Sequence, residues 1–412
     1  MLQVESPGLS GDRPRDASRN LSHVEHLGNP AANEKLASAE YRAGKTVLRS
    51  LPPVVTYALT THCYTGKDIC LICDRNTRPA SADSSATEEA IRAVTPLLKT
   101  ATHVFLHCGG EAMFSPYFDD VIAMIDPPTR AVFATNGMAL TAKRADLMLE
   151  RDVMGKIMIS LDAATPEMLR IMRPACDFET ISKNTAYYTK KTRALNREAV
   201  SSVVLGMTVC ESNLRDVPAL VDLAEKTGAR FVEYNHLNAG LTHMVKTVDG
   251  WDWDYTQQAA FTDPVLHDTL LLEAYTRAKA KDIKMTFVGQ PFIGPEKDAI
   301  DRTIRNGIAH HAPAAANPNA VDPWVSQHHP VYSAGIPSCV KPWREVVIQP
   351  TGVVRACYFH DEGTLAVGNI VKSDFMAIWN SSRMIAHREQ FLSQGVSNMC
   401  LASHPCMFRG RK

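Results

Sequence analysis

Neither sign of charge is in excess. The 412 residues hold 44 Lys plus Arg against 44 Asp plus Glu, a formal net charge of zero. Nothing in this balance suggests nucleic-acid binding or attraction to a membrane surface. No apolar run reaches the roughly 20 residues that a membrane span needs. The opening segment, MLQVESPGLSGDRPRDASRN, lacks the apolar core of a secretory signal, so the expected address is cytoplasmic. No internal repeat is visible. What is present, 45% hydrophobic and 21% charged residues, is ordinary for a soluble globular protein. The length suits one large domain and a smaller one.

Ten cysteines stand out. Without a secretory signal, reduced cysteines point to metal ligation or catalysis rather than to disulfides. Six fall in two groups at opposite ends of the chain, Cys63, Cys70 and Cys73 in one and Cys357, Cys400 and Cys406 in the other. Cys339 lies between them and joins the second group. Cys108, Cys176 and Cys210 are scattered, as ordinary buried cysteines are.

Residues 1–50 are polar, with Gly, Pro, Ser and Asn spread through them, and read as an N-terminal arm ending in a short helix. From Val54 short apolar runs alternate with longer amphipathic stretches, the rhythm of a parallel β/α sheet. The pattern predicts strands at Val54–Leu59, His103–His107, Ala131–Thr135, Lys156–Ser160, Ser202–Thr208, Arg230–Tyr234 and Lys284–Val288. It predicts helices over Thr87–Leu98, Ser115–Ile125, Ala142–Arg151, Phe178–Leu195 and Val217–Thr227. The fold class is therefore α/β, a partial (β/α)6 TIM-like barrel with its core in residues 51–240 and its functional residues at the C-terminal strand ends.

Residues 241–335 read as barrel completion plus an irregular insertion, holding WDWDY, a helical run over Pro264–Ala280 and the stretch AHHAPAAANPNAVDP. Such segments serve as lids, binding loops or linkers. Residues 336–412 form a C-terminal α+β unit. Its hairpin is predicted from Glu345–Gln349 and Val353–Cys357, with helices near Asp374–Trp379 and Met384–Ser393.

The stretch from Thr60 to Cys73, TTHCYTGKDICLIC, directly follows the first predicted strand. Three thiolates on one loop, Cys63, Cys70 and Cys73, can hold three irons of a cubane and leave the fourth open to a chelating ligand. The loop equally suits a zinc site with a remote fourth ligand, or three structural cysteines. His62 reads as a neighbour of such a site rather than a ligand. At the end of the second strand, His107-Cys108-Gly109-Gly110-Glu111 sets a carboxylate beside two glycines. Glycines let a ligand approach the backbone closely, though the same residues also make a simple turn.

One strand after a cysteine loop, Gly109-Gly110-Glu111 resembles the methionine-amine motif of the radical S-adenosylmethionine superfamily. Ala134-Thr135-Asn136-Gly137 ends the third strand and Ser160-Leu161-Asp162-Ala163 the fourth. Arg173-Pro174, Asp177-Phe178-Glu179 and Asn184 follow. This order is similar to that of the molybdopterin-cofactor and SPASM/twitch branch, over residues 54–240 and again over 339–406. One departure is plain: six residues, Tyr64 to Ile69, separate the first two cysteines where the family has three. Gly66 allows the extra residues to bulge outward.

The resemblance implies that Cys63, Cys70 and Cys73 bind a 4Fe-4S cluster and that Gly109, Gly110 and Glu111 meet S-adenosylmethionine. It places Thr135, Asn136, Ser160 and Asp162 near that cofactor's ribose or methionine carboxylate. Read alone, these four are strand-end caps and turn formers. Cys339, Cys357, Cys400 and Cys406 flank Pro342-Trp343, Gln349-Pro350-Thr351-Gly352, Gly368-Asn369-Ile370 and Trp379-Asn380. That pattern is similar to a SPASM/twitch auxiliary-cluster domain. A full SPASM domain carries more cysteines, so one auxiliary iron–sulfur cluster is implied. Four cysteines also suit a structural zinc, with His404 able to replace one.

The implied chemistry is reductive cleavage of S-adenosylmethionine to a 5′-deoxyadenosyl radical that takes hydrogen from an unactivated carbon. The electron comes from a donor such as flavodoxin or ferredoxin. The expected substrate is a small or carbohydrate-like natural product, epimerised or oxidised. The alternatives are a peptide that is oxidised or cross-linked, and a zinc-binding structural or interaction protein. For epimerisation, Cys210 is the candidate catalytic hydrogen donor. Side chains alternate along a strand, so Val204, Gly206, Thr208 and Cys210 share a face that is smaller than that of Val203, Leu205, Met207 and Val209. Free cysteine is more often simply buried. By position, Lys156, Glu233, Tyr234, Asn235 and His236 are expected to line the pocket. The tryptophans of WDWDY either stack on substrate or hold their loop to the barrel.

Overall fold

Aliphatic runs bounded by turn residues become strands where the pattern predicts. The computed structural model describes residues 21, 24, 26–63, 70–73, 84–106, 109–237, 245–248, 251–308, 339–357 and 366–401. The first elements are α1 (Pro30–Arg42), β1 (Val54–Tyr57), α2 (Glu88–Thr100), β2 (His103–Phe105), α3 (Phe118–Met124) and β3 (Arg130–Thr135). Next come α4 (Ala142–Glu150), β4 (Met154–Ser160), α5 (Pro166–Met172), α6 (Phe178–Ala194), β5 (Ser202–Val209), α7 (Val217–Thr227) and β6 (Phe231–His236). The former insertion supplies β7 (Val245–Val248), β8 (Trp251–Asp254), α8 (Tyr255–Ala260), α9 (Pro264–Ala280), β9 (Lys284–Val288) and α10 (Lys297–Ile308). The C-terminal unit holds α11 (Lys341–Arg344), β10 (Glu345–Ile348), β11 (Val353–Arg355), β12 (Ala366–Asn369), α12 (Phe375–Trp379), α13 (Ser382–Gln394) and α14 (Asn398–Leu401).

The strands form one sheet in the order β12-β11-β10-β1-β2-β3-β4-β5-β6-β9. Every neighbouring pair from β1 to β6, and β6 with β9, is parallel. The sheet is open among the described strands, so the fold is a partial barrel. β10 continues it by pairing parallel to β1, Val54 opposite Glu345, and β11 and β12 follow antiparallel. No helix among the described residues is long and apolar enough to cross a membrane.

Helices with an apolar stripe cover one face of this sheet. In α2, Thr87 caps the start by accepting from the Ala90 amide, Glu88 and Glu89 fill the first turn, and Ala90, Ile91, Val94, Leu97 and Leu98 are buried. On β5, Val203, Leu205, Met207 and Val209 join the main core under the helices. The opposite face of the sheet holds a small cluster of Val54, Phe105 and Val132.

Three elements differ from the pattern. The arm contains a thirteen-residue helix, α1. The seven-residue α5, capped by Thr165 with a proline in its first turn, is too short to show a period. The segment read as irregular builds the β7–β8 hairpin, Val245 opposite Asp254 and Lys246 opposite Trp253. AHHAPAAANPNAVDP lies outside the described residues.

The lead-in to β1 has no ladder of its own, and side chains replace one. Asn33 exchanges two hydrogen bonds of 2.9 Å with the backbone of Leu51, and Asn380 exchanges two of 2.8 Å with Leu48. Between them the Glu40 carboxylate accepts from the amides of Arg49 and Ser50. Four successive amides are thus satisfied by three side chains, from α1 and from the residue after α12. Asn33→Ala orphans two buried backbone groups, each costing about 1–3 kcal/mol. Urea denaturation should show a loss of about 3 kcal/mol, and a loss within error of zero would contradict this account.

Candidate active site

The cysteine loop leaves β1 through a pinned neck. Thr61 N–H donates to Ser84 O at 2.8 Å, Ser84 N–H returns to Thr61 Oγ1 at 2.7 Å, and Thr60 bridges Ser85. Beyond this neck Cys63, Cys70 and Cys73 are half-buried. The end of β2 is pressed against the same neck. Glu111 N–H donates to His62 O at 2.9 Å. A Cβ on Gly110 would lie 2.5 Å from both His62 O and Thr60 O, and Gly109 has φ +91°. Both positions therefore require glycine, one for close approach and one for a left-handed backbone.

The carboxylates Glu111 and Asp162 are buried, 4% and 2% exposed. Glu111 accepts from Thr135 Oγ1 at 2.8 Å, the Asn136 amide at 2.7 Å and the Met113 amide at 3.3 Å. Burial pushes its pKa up, opposed by these donors. It joins the ends of β2 and β3. Asn136 Oδ1 accepts from the Met138 amide at 2.9 Å, and Ser160 closes β4 half-buried.

Asp162, at φ +57°, accepts from the Thr208 amide at 2.7 Å and from Arg173 Nε at 2.7 Å and Nη2 at 2.5 Å. Arg173 Nη1 in turn lies 3.5 Å from Cys70 Sγ. Burial raises the Cys70 thiol to about 12, with the guanidinium pulling the other way. Cys176, one of the scattered cysteines, shares this corner. Its amide donates to Arg173 O at 2.9 Å, burial raises its thiol to about 11, and Arg173 opposes that rise while Cys63 adds to it.

Cys210 directly follows β5 and is fully buried. It packs in a second apolar cluster with Leu71 of the cysteine loop, Met172, Leu237, Trp253 and Tyr255. Burial raises its thiol to about 12. Lys156 and Glu233 meet at 3.4 Å, and Asn235 Nδ2 lies 3.4 Å from Thr208 Oγ1. Tyr234 and His236 correct the expectation of a pocket role: they face the helices. Tyr234 OH donates to Val217 O at 2.8 Å at the start of α7, and His236 Nε2 lies 2.9 Å from His267 Nε2 on α9.

Among the described residues no group of three or more His, Cys, Asp or Glu side chains could hold a metal ion. The donor chemistry nevertheless fits a cubane. Three thiols on one loop are the soft ligands that iron–sulfur clusters take, and Arg173 supplies a cation beside one of them. At the other end of the chain, Cys339, Cys357 and Cys400 are half-buried, while Cys406 and His404 lie outside the described residues, as does Cys108. Burial and then the neighbouring Cys357 push the Cys339 thiol up, and Lys341 opposes them. Lys341 is itself buried against Glu345.

Residues 57–224 match the model of the radical SAM superfamily, and residues 339–406 match an iron–sulfur cluster-binding domain, SPASM. The second match begins at Cys339 and ends at Cys406. No curated protein matches. Among solved structures the chain is similar to Streptococcus suis SuiB bound to S-adenosylmethionine, at 13% identity and TM-score 0.54, covering 90% of this chain and 75% of that one. It is also similar to native anSMEcpe with bound AdoMet, at 13% identity and TM-score 0.53, covering 82% of each chain. SuiB bound to precursor peptide SuiA gives 12% identity and TM-score 0.53, with 86% and 70% covered. At these identities the likeness is one of fold.

The outward histidines generate a pH dependence. Asp268 Oδ1 lies 2.8 Å from His267 Nδ1, and a carboxylate only accepts, so His267 Nε2 is left to accept from His236. Burial, then the facing His267, lower the His236 pKa from 6.5 to about 4. Between those values the unfolded chain binds a proton that the folded chain does not, so stability falls as pH falls. Denaturation across this window should show a shallower decline for His236→Gln than for wild type; equal slopes would refute the assignment.

Proposed function

The chain belongs to the radical S-adenosylmethionine superfamily and carries a SPASM domain, and from this premise we propose that it takes a hydrogen atom from an unactivated carbon of a small or carbohydrate-like natural product, ending in epimerisation or oxidation. The observation that supports epimerisation is Cys210. A hydrogen-atom donor must carry S–H rather than S⁻, and burial keeps this thiol protonated. It also shares a buried apolar cluster with Leu71, which lies between Cys70 and Cys73.

Cys63, Cys70 and Cys73 would hold the radical cluster, and Cys339, Cys357, Cys400 and Cys406 one auxiliary cluster. When bound, the reduced cluster and S-adenosylmethionine supply the 5′-deoxyadenosyl radical. Gly109, Gly110, Glu111, Thr135, Asn136, Ser160 and Asp162 would frame the cofactor. Glu111 and Asp162 would do so by holding strand ends in place, since their carboxylates are already engaged. Arg173 keeps a cation at Cys70. A flavodoxin- or ferredoxin-type protein in the cytoplasm would deliver the electron. Peptide modification is the second reading. It is supported by the fold shared with SuiB, solved with precursor peptide SuiA, and with anSMEcpe, solved with the Cp18Cys peptide.

The test is anaerobic reconstitution with iron and sulfide. Replacing Cys63, Cys70 and Cys73 together with Ala should remove one cubane and all 5′-deoxyadenosine; undiminished 5′-deoxyadenosine would sink the assignment. In the presence of substrate, Cys210→Ala should still cleave S-adenosylmethionine but fail to form the epimer. Normal product formation would leave Cys210 a packing residue and favour oxidation.

A further inference from the structure

The turn from Cys70 to Cys73 has an unusual set of partners. Cys73 N–H donates to Cys70 O at 3.1 Å, and Leu71 N–H donates to Met172 O at 3.1 Å. Its carbonyls turn to a hairpin far along the chain. Lys246 Nζ lies 3.0 Å from Cys70 O, 2.5 Å from Leu71 O and 2.8 Å from Cys73 O. Tyr255 OH donates to the remaining carbonyl, that of Ile72. An ammonium has three protons, and these three carbonyls match them in number.

The hairpin behind this contact is itself held firmly. Lys246 stands opposite Trp253, which is fully buried and meets Tyr255 edge to face at 4.8 Å. Both rings share one buried apolar cluster with Leu71. The chain then enters α8, whose Gln258 accepts the Glu211 amide on its carbonyl and the Ser212 amide on its side chain, both at 2.9 Å. The hairpin is therefore fastened to the exit of β5 at one end and to the cysteine loop at the other.

We propose that Lys246 is a positioning residue of the cysteine loop: it sets the backbone of Cys70 and Cys73 before iron arrives and, with a cluster bound, raises the reduction potential. Residues 70–73 lie in no helix or strand, so the direction of their carbonyls depends on the donor they face. A cubane on three thiolates is negatively charged once reduced, and a nearby cation eases the added electron. The inference rests on Cys63, Cys70 and Cys73 being the radical-cluster ligands.

Two measurements on the full chain test it. Before reconstitution, hydrogen exchange at the Leu71 and Cys73 amides should be about tenfold faster in Lys246→Met than in wild type, with the α7 amides unchanged. After reconstitution, a redox titration followed by electron paramagnetic resonance should place the Lys246→Met midpoint at a more negative potential. Lys246→Arg, which keeps the charge, should return it to the wild-type value. Unchanged exchange, or an unchanged midpoint, overturns the proposal. If Lys246→Met does not fold, Tyr255→Phe keeps the ring and removes one bond; exchange at the loop should then rise, and a wild-type rate overturns the proposal. The exchange experiment needs no cluster. Faster exchange together with undiminished S-adenosylmethionine cleavage by the triple cysteine variant would therefore sink the cluster assignment and leave the loop anchor standing.

Discussion

Backbone groups outside helices and strands must still find hydrogen-bond partners when they leave water. In this chain side chains from distant elements supply them. Asn33, Glu40 and Asn380 satisfy the amides before β1. Lys246 and Tyr255 satisfy the carbonyls of the cysteine loop after it. Asp162 holds the Thr208 amide with one oxygen and Arg173 with the other. The position of β1, and of the thiols that follow it, depends on these pairings more than on local propensity.

The parallel strands were legible because each is a short aliphatic run between turn residues. Val217–Thr227 was found as a helix to the residue, and β9 as a strand. Two kinds of feature were not legible. The β7–β8 hairpin alternates polar and apolar residues in WDWD, and nothing local says that Lys246 should meet a loop more than a hundred residues earlier. The faces of β6 were readable only in part. The alternation separates Glu233 and Asn235 from Tyr234 and His236, but which pair meets the helices depends on Val217 and His267. The placing of Cys176 beside Arg173, which reaches Cys70, was hidden for the same reason. Its one signal was Arg173 three residues before it.

Glu111 and Asp162 are both engaged by donors of the protein itself. Glu111 takes three donors from the β2 and β3 ends, and Asp162 takes donors from β5 and from Arg173. A carboxylate buried without such partners would lose its charge. Here the partners are the strand ends themselves, so the electrostatics of the site and the spacing of its walls are one arrangement. A change at Thr135 or Arg173 would be felt as a shift in geometry as well as in charge.

The parallel pairing of β1 with β10 has a consequence for how the chain is made. Val54 waits for Glu345, so during synthesis the first barrel strand exposes an unpaired edge until the C-terminal unit has emerged. Exposed edges recruit other strands, and contacts so distant in sequence form slowly. Asn380 has the same timing, since Leu48 lacks this partner until residue 380 has been added. A chain interrupted before β10 would carry both cysteine-loop anchors, Lys246 and Tyr255, yet display an aggregation-prone margin beside the loop they hold.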